Sequence, residues 1–474
     1  MKKRLTILNF MLLVVLAVAA QGKAKYVFYF IGDGMGVNQV NAAETYLAAL
    51  QSRIGIEELC FPSFPHTAFV NTQSATNGIT DSAAGGTALA CGQKTKNGSL
   101  GVLKDQVTPI TSIADWARNA GAAVGITTSV AIDHATPAAF YAHVRERHEQ
   151  YTIGKQLTES GNDFYAGSDF TIPNDPEHPN MPDLYQQAAG KGFTIARGYA
   201  DYEKKAAKAK RMILLQSEEA SDNDRYSIPY ALDRSANDLT LTEITRAGID
   251  FLMKKQGEKN GFFMMVEGGK IDWACHANDM AFMHELIDMD NAVKVAYEFY
   301  LQHPDETLIV VTADHETGGL VLSGNTYELH LDVIGNQKIT IERLGKELHK
   351  LHDQYGDNLE WDTVKKLIAE NFGFWDKVTL TDEQTARLRQ AFDNIKSGNG
   401  ESEQTLYQKD DELAATVKKI QAECALVGWQ VTSHSNGYVP CFAIGAGADL
   451  IHGRIDNTAI CKLIAKAAGW KTPF

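Results

Sequence analysis

Four apolar runs of strand length, each followed directly by polar residues, constrain the fold of this chain more than any other feature. The runs span residues 26–31, 122–130, 262–266 and 307–311, and they alternate with segments of helical pattern. Such alternation is typical of a sheet with helices on both faces. Open α/β sheets bind ligands at the carboxyl ends of their strands, so the polar residues that follow these runs indicate one shared site.

Amphipathic segments between these runs predict the helices that cover the sheet, at residues 38–52, 111–119, 240–255 and 282–299. A cluster of four prolines at residues 173–182 predicts an irregular surface loop, because proline removes a backbone donor and breaks regular structure. The predicted fold is an α/β three-layer sandwich with a large central, mostly parallel sheet.

Residues 325–430 differ in composition from the rest of the chain, since they are rich in charged and helix-forming residues. A flexible stretch is predicted within them at residues 396–404, and core-like strand sequence resumes only at residues 439–444. We therefore expect a main α/β domain built from residues 21–324 and 431–474, interrupted by a mostly helical insertion at residues 325–430.

The first 20 residues predict a signal peptide. Positions 2–4 are basic, positions 5–18 are almost wholly apolar, and small residues at positions 17–20 suit cleavage near Ala19 or Ala20. The apolar run is short for a membrane anchor, and no later segment is apolar enough to span a bilayer. We expect an exported protein, periplasmic or secreted, without a membrane anchor once the signal is removed.

The overall composition excludes several classes of protein. With 474 residues, 44% hydrophobic and 22% charged, the chain is neither disordered nor a disulfide-dense miniprotein. A net charge of −14 argues against specific nucleic-acid binding, but bound cations can still create a site for an anion. The six cysteines permit disulfides without naming a pairing, and the lack of a CxxC motif argues against a thiolate zinc site.

Two pairs of residues have the spacing of metal ligands. Asp272 and His276 are four residues apart, which places both on one helical face; the alternative is a solvated ion pair. Glu267, at the end of a predicted strand just before them, favours a metal site. Asp314 and His315 are adjacent, so both are ligands only where their strand breaks into a loop, as the following ETGG sequence suggests.

Ser82 lies in the sequence TDSAAGGTA at residues 80–88, where small residues can begin a helix. One reading is a helix N-cap serine. The other is a nucleophile at a helix N-terminus, where free N–H groups and the helix dipole favour a phosphate. The GxSxG motif of α/β-hydrolases is absent, and a hydroxyl activated by a metal ion would need no separate base.

Taken together, these segments resemble the alkaline phosphatase family. Its fingerprints recur in family order, as GDGMG at residues 32–36, DSA at 81–83, ATPAA at 135–139, VEG at 266–268, Asp272 with His276, ADH at 313–315, and a late His434. The resemblance covers residues 25–323 and 431 to the end, but not the insertion, where family members often carry a crown or lid.

The resemblance implies three metal sites. Two would bind zinc, with Ser82 beside the second, and the third usually binds magnesium. The implied ligands are Asp272, His276 and His434 for the first zinc, Asp33, Asp314 and His315 for the second, and Asp33, Thr136 and Glu267 for the third ion.

The resemblance also implies the residues around the substrate phosphate. Arg147 matches the arginine that holds this phosphate, and a planar guanidinium suits bidentate binding. Arg145 fits less well by register and can be read as a surface charge. Asp81 is expected to orient Arg147 or its loop. Cys275, between two implied ligands, is read as a buried structural thiol.

Two residues depart from the best-known bacterial member of the family. His134 stands in place of an aspartate, and it either weakens magnesium at the third site or admits zinc there, since imidazole suits zinc. Trp273 stands in place of a lysine. It removes a cation near the phosphate and either offers an aromatic wall to the leaving group or simply packs.

The implied activity is hydrolysis of phosphate monoesters to an alcohol and inorganic phosphate, by a two-zinc in-line mechanism through a phosphoserine at Ser82. Two alternatives remain at this point: hydrolysis of phosphodiesters or sulfate esters on the same fold, and a non-catalytic phosphate- or metal-binding protein. Small-molecule phosphomonoesters are the expected partners. Homodimers are common in the family, but the sequence leaves the oligomeric state, the physiological substrate and the role of the insertion open.

Overall fold

The computed structural model of the protein describes residues 23–324 and 326–474. The predicted signal peptide lies outside these residues. None of the helices within the described ranges combines the length and apolar character needed to cross a bilayer.

Fourteen strands lie in the described residues. In chain order they are β1 (Tyr26–Gly32), β2 (His66–Asn71), β3 (Ala123–Thr128), β4 (Phe164–Gly167), β5 (Phe193–Arg197), β6 (Arg211–Leu215), β7 (Phe262–Gly268), β8 (Thr307–Thr312), β9 (Glu316–Thr317), β10 (Glu403–Gln404), β11 (Lys409–Asp410), β12 (His434–Ser435), β13 (Val439–Gly445) and β14 (Gly453–Asp456).

Ten of these strands form one central sheet in the order β14-β2-β13-β8-β1-β7-β3-β4-β6-β5. Every pairing is parallel except those of β13, which runs antiparallel to both β2 and β8. The central strands β1, β3, β7 and β8 are buried along their whole length, as expected of parallel strands covered on both faces. The predicted α/β fold with a mostly parallel sheet is confirmed.

Seventeen α-helices accompany the strands. They are α1 (Val37–Leu50), α2 (Ser82–Cys91), α3 (Ile113–Asn119), α4 (Ala135–Ala138), α5 (Gln150–Glu159), α6 (Leu184–Gly190), α7 (Tyr199–Lys205), α8 (Glu218–Asn223), α9 (Leu241–Leu252), α10 (Glu258–Asn260), α11 (Lys270–His276), α12 (Phe282–Gln302), α13 (Ile341–Tyr355), α14 (Trp361–Phe372), α15 (Asp382–Lys396), α16 (Glu412–Ala425) and α17 (Asn457–Ala468).

Helix α2 begins at Ser82 and is buried along its entire length. The Asp81 side chain caps it by accepting a hydrogen bond from the Ala84 backbone N–H at 3.0 Å. Gly85 lets this helix approach the sheet closely, because a Cβ there would lie 3.0 Å from the Asp314 carbonyl oxygen. The helix ends at Gly92, whose φ of 67° suits glycine. Small residues thus bring Ser82 directly against the carboxyl edge of the sheet.

The segment between β9 and β12 is mostly helical and carries α13–α16. Its apolar side chains form a separate buried cluster within residues 341–420, in which Leu344, Ile368, Leu388 and Val417 are fully enclosed. Amphipathic helices that bury one face against each other explain why a charged, helix-forming sequence folds here.

Several predicted boundaries were wrong. The strand predicted at residues 122–130 is the shorter β3, and the helix predicted at residues 240–255 ends at Leu252, where a π-helical turn, Met253–Gly257, begins. The predicted flexible stretch at residues 396–404 instead ends in strand β10, which pairs antiparallel with β11. Side-chain ion pairs, which hydrophobic periodicity does not report, hold this hairpin in place.

All six cysteines lie in the described residues, and none forms a disulfide. Burial raises the pKa of the Cys275 thiol well above its ordinary value, consistent with the prediction of an inert structural thiol.

Candidate active site

The carboxyl ends of three neighbouring strands, β7, β1 and β8, deliver buried carboxylates to one edge of the sheet. Asp33 follows β1, Glu267 lies near the end of β7, and Asp314 follows β8. All three are fully enclosed. The register pairs Ile31 with Glu267 on one side and with Thr312 on the other, so these groups lie level with one another. The structure thus brings together three of the predicted ligands.

A first group of possible ligands joins helix α11 to strand β12. His276 Nε2 lies 3.3 Å from Asp272 Oδ2 and 3.0 Å from His434 Nε2. His434 Nε2 lies 3.7 Å from Asp272 Oδ1. The spacing of four residues on α11 therefore puts both side chains on one face, as the sequence predicts, and His434 arrives from beyond the insertion.

A second group surrounds His315. Its Nε2 lies 3.2 Å from Asp33 Oδ1 and 3.4 Å from Asp314 Oδ2. Strand β8 ends at Thr312. Asp314 and His315 therefore lie beyond the sheet, where two adjacent side chains can face the same site. Ligand atoms of Asp272, His315 and His434 also lie within 4.8 Å of one another, so the first and second groups are contiguous.

Hydrogen bonds fix the three imidazoles in the orientation that metal binding needs. Nδ1 of His276 donates to the Thr432 carbonyl at 2.7 Å, and Nδ1 of His434 donates to the Thr80 carbonyl at 2.8 Å. The Thr317 hydroxyl donates to Asp272, so it accepts from Nδ1 of His315 at 3.1 Å. In each ring Nδ1 is the donor and Nε2 is left facing the cluster, which is the arrangement that a metal-binding imidazole requires.

A third group lies on the other side of Asp33. Ligand atoms of Asp33, His134 and Glu267 lie within 4.8 Å of one another. Thr128 donates a hydrogen bond to Glu267. The Thr136 hydroxyl, at the start of α4, is buried without a hydrogen bond. Thr128 was not identified from the sequence, where it reads only as a β-branched strand residue.

The clustered carboxylates have pKa values shifted by burial and by one another. Burial first, and then neighbouring carboxylates, raise the pKa of Asp33 well above its usual value and that of Asp314 to about 8. Burial also raises the pKa of Glu267 to about 7. Burial acts in the same direction on Asp272, but His276 and the other two imidazoles outweigh it and lower its pKa.

Several oxygens of the cluster are also without hydrogen bonds, among them Asp33 Oδ2, Glu267 Oε1 and Asp314 Oδ2. Buried carboxylates at such spacing repel one another unless cations lie between them. Carboxylates and imidazoles together form the donor set that zinc prefers, whereas carboxylates with a hydroxyl suit magnesium. The residues therefore fit divalent metal ions.

Ser82 lies beside the second group. Its Oγ is 3.2 Å from His315 Nε2 and 3.5 Å from Asp33 Oδ1. It is the first residue of α2, where free backbone N–H groups and the helix dipole favour an anion. The two sequence interpretations of this serine are thus decided in part: the residue that caps the helix is Asp81, and the Ser82 hydroxyl faces the carboxylates and imidazoles.

The Arg147 guanidinium lies between two residues named from the sequence. Its Nη1 is 3.3 Å from Asp81 Oδ2, and its Nη2 donates to His134 Nε2 at 3.1 Å. Burial lowers the pKa of Arg147, but Tyr407 and Asp81 outweigh burial and raise it, so the cation is secure. Arg145 is exposed at the surface, in agreement with its interpretation as a surface charge.

A cleft of about 720 Å³ opens over these groups, with Asp81, His134, Arg147 and His434 in its lining. Trp273 forms one wall, and its ring stacks on Tyr407 from the insertion, with centroids 4.4 Å apart and an angle of 13°. Tyr407 was missed by sequence reasoning, because a single tyrosine in a polar segment carries no periodic signal. A serine hydroxyl, an arginine and metal-binding groups thus lie beside one open cleft, an arrangement typical of a metal-dependent hydrolase.

Comparison with known proteins identifies the family. The model of the family described as alkaline phosphatase matches residues 24–167 and 212–470. The match includes the insertion, so the prediction that the resemblance leaves out residues 325–430 was wrong. Alkaline phosphatase 4 of Bacillus subtilis is 31% identical over 390 residues, which cover 82% of this chain and 76% of that protein. The chain belongs to the alkaline phosphatase family.

Solved structures agree with this family assignment. The cold-active alkaline phosphatase from the psychrophile Shewanella sp. matches with a TM-score of 0.77 at 26% identity, over 94% of this chain and 99% of that one. Thermus thermophilus alkaline phosphatase matches with a TM-score of 0.75 at 25% identity, over 95% and 93% of the two chains. The family resemblance seen in the sequence is confirmed: the protein is a phosphatase of a metal-dependent family whose members hydrolyse phosphomonoesters.

Proposed function

We propose that this chain hydrolyses phosphate monoesters to an alcohol and inorganic phosphate through a phosphoserine at Ser82. One observation carries the proposal. The Ser82 hydroxyl stands at a buried helix N-terminus within 3.5 Å of both His315 and Asp33, where an attacking oxygen and the groups that hold metal ions meet. A protein that only binds phosphate or metal has no need of a serine at this position.

The residues of the chain would act as follows. Arg147 binds two phosphate oxygens through its guanidinium fork. Ser82 Oγ then attacks phosphorus in line with the leaving oxygen, the bond from phosphorus to that oxygen breaks, and phosphoserine forms. Water hydrolyses this ester and regenerates the serine. Backbone N–H groups at the start of α2 stabilise the equatorial oxygens.

The metal ions would be held by the three groups of ligands. Zinc suits the first two, and their residues are Asp272, His276 and His434, and Asp33, Asp314 and His315. When bound, these divalent ions neutralise the buried carboxylates, lower the pKa of the serine hydroxyl and stabilise charge on the leaving oxygen.

Magnesium is the proposed third ion, held by Asp33, Thr136 and Glu267. His134 does not compete for it in the observed arrangement. Its Nε2 accepts from Arg147, and burial lowers its pKa to about 3, so the ring is neutral. A neutral ring that accepts at Nε2 carries its proton on Nδ1, so neither nitrogen offers a lone pair to zinc. The remaining ligands are oxygens, which favour magnesium.

The proposal includes export to the periplasm or the medium, supported by the basic, apolar and small residues in the first 20 positions. Cell fractionation with N-terminal sequencing of the mature protein tests it; a retained Met1 contradicts it. A homodimer is proposed from the habit of the family alone, and light scattering of the purified protein measures the mass that decides it.

The test of the activity is Ser82→Ala in the metal-loaded enzyme, with p-nitrophenyl phosphate, its diester and its sulfate as substrates. We expect wild type to prefer the monoester and the variant to lose about a thousandfold or more in kcat, with unchanged metal content. Ser397→Ala, at an exposed serine of the insertion, is the matched control. Acid-quenched wild type should contain phosphoserine. Full turnover in Ser82→Ala removes the covalent mechanism, and preference for the diester or sulfate removes the assigned substrate class.

A further inference from the structure

Tyr407 reaches the active site from the insertion, the helical segment between β9 and β12. It lies in the turn between β10 and β11. Its ring stacks on Trp273 and meets the edge of His276, with centroids 5.4 Å apart at 74°. It also lies 6.3 Å from the His134 ring. The insertion therefore places one aromatic side chain among three residues of the catalytic cleft.

Arg147 lines the same cleft as Tyr407 and Trp273. Its guanidinium donates to Asp81 and to His134. A phosphate bound at Arg147 would therefore lie in the cleft that the two aromatic rings also line.

The hairpin that carries Tyr407 is fastened to helix α16. Lys418 is only 3% exposed, and its Nζ lies 2.8 Å from Asp410 and 3.7 Å from Glu403, one on each strand of the hairpin. The Thr405 backbone N–H donates to the Gln408 carbonyl at 2.8 Å across the turn. A buried ion pair with additional hydrogen bonds holds the hairpin in one geometry. The fold of the insertion therefore fixes the position of Tyr407.

The two aromatic rings also give the cleft an apolar side. Leu406, Tyr226, Trp273 and Tyr407 all line it. Planar apolar groups gain more from contact with aromatic rings than small aliphatic groups do.

We propose that Tyr407, with Trp273, is a specificity-determining residue that favours phosphomonoesters with planar aromatic leaving groups. The two stacked rings form the wall that the leaving group contacts. The inference rests on the proposed function, since it assigns the phosphate to Arg147.

Binding of three non-hydrolysed competitors to the metal-loaded full chain tests the role of the wall. Inorganic phosphate reports on the phosphate contacts alone, whereas phenylphosphonate and methylphosphonate differ only in the group that faces the wall. Tyr407→Phe keeps the ring and removes the hydroxyl. Tyr407→Ala removes both. Tyr355→Phe and Tyr355→Ala, at a tyrosine of α13 that is 42% exposed, are the matched controls.

We expect Tyr407→Phe to keep the preference for phenylphosphonate over methylphosphonate, because the ring remains. We expect Tyr407→Ala to lower this preference by about 5-fold or more while inorganic phosphate binds as in wild type. Calorimetry measures these affinities without turnover.

An unchanged phenyl-to-methyl ratio in Tyr407→Ala overturns the wall. Failure of the proposed function itself is distinguishable, because wild type would then release no phosphate from p-nitrophenyl phosphate. Lys418→Met, which loosens the hairpin without touching the cleft, is expected to lower the phenyl-to-methyl ratio in the same direction as Tyr407→Ala. If Tyr407→Ala does not fold, Tyr407→Leu, which keeps an apolar side chain without a ring, decides the role of the wall.

Discussion

Asp81 and Arg147 are joined through the one oxygen of the Asp81 carboxylate that does not cap helix α2. Oδ1 accepts from the Ala84 N–H at 3.0 Å, and Oδ2 lies 3.3 Å from Arg147 and accepts from the Gly98 N–H at 3.1 Å. One side chain therefore fixes the start of the helix that bears Ser82 and also holds Arg147, the proposed phosphate-binding residue, so its two tasks can be separated by mutation.

Asp81→Asn is expected to keep the cap, because asparagine caps helices about as well as aspartate, whereas Asp81→Ala costs about 1 kcal/mol of unfolding free energy. Both substitutions remove the charge beside Arg147. Unfolding of the metal-loaded enzyme, compared between the two variants, measures the difference. Equal stabilities would show that the cap contributes nothing here.

Arg147→Ala is expected to raise the inhibition constant of inorganic phosphate by about 10–100-fold, since a bidentate, charge-assisted contact is lost. The inhibition constant in steady-state assays measures it. Arg145→Ala, at the exposed neighbouring arginine, is the control and should leave phosphate inhibition unchanged. A strong effect in Arg145→Ala with none in Arg147→Ala would reverse the assignment made from the sequence.

The same Arg147→Ala variant should change the metal content. Without the guanidinium, His134 loses the donor at Nε2 and can present a lone pair to the third site, where imidazole favours zinc. We expect the purified variant, grown with both metals, to contain more zinc and less magnesium than wild type. Elemental analysis decides, and an unchanged ratio contradicts the account of His134 as a partner of Arg147.

Removal of the metal ions is expected to lower stability as well as activity. Asp33, Asp314 and Glu267 would then face one another without cations. A ligand at 100 times its Kd stabilises a fold by about 2.7 kcal/mol, so Tm should fall by several degrees in chelator and recover when zinc and magnesium are added. Recovery of Tm and activity together is the expected result. A Tm that is unchanged in chelator would mean that the cluster holds no structural metal.

His284, away from the active site, should set part of the acid stability. Burial lowers its pKa from 6.5 to about 4, and its Nε2 lies 3.3 Å from the Tyr46 hydroxyl. Between these values the unfolded chain binds the proton first, so stability is lost as pH falls from about 6.5 to 4, by up to about 3 kcal/mol. At pH 7 and above, the group contributes no pH dependence.

His284→Gln should flatten this slope, because an amide can accept the Tyr46 bond without titrating. The unfolding free energies of variant and wild type in urea at pH 4.5 and 7 give the comparison, with His178→Gln at an exposed histidine as control. A variant whose stability falls as steeply as wild type would assign the acid sensitivity to other groups.

The parts of the fold that were predictable are those with strong hydrophobic patterns. The strands β1, β7, β8 and β13 follow from runs such as YVFYFIG, in which every side chain is buried. Helix α9 has a capping box in which Thr240 and Glu243 satisfy each other's backbone N–H groups. The strands β2 and β14 were not identified, because their side chains are partly exposed and the sequence of each is short and mixed.

The site was predictable where motifs are local and contiguous. Residues that are neighbours on one helix or at one strand end, such as Asp272 and His276, can be recognised from their spacing in the sequence. Tyr407 cannot be recognised in this way, because its contact with Trp273 depends on how the insertion packs across the cleft. For the same reason the orientation of His134 toward Arg147 was out of reach: which ring nitrogen accepts a hydrogen bond depends on neighbours that only the folded chain supplies.

The reversed strand β13 has a consequence for the order in which the molecule is completed. It lies between β2 and β8 and bonds to both, yet it comes after the insertion, near the end of the chain. In a nascent polypeptide that lacks β13, no strand would join β2 and β14 to β8 and the rest of the sheet. His434, just upstream of β13, would be missing from the cluster. The site therefore cannot be completed until the residues beyond the insertion have been made, so a product that stops before His434 should lack one of the residues of the first group.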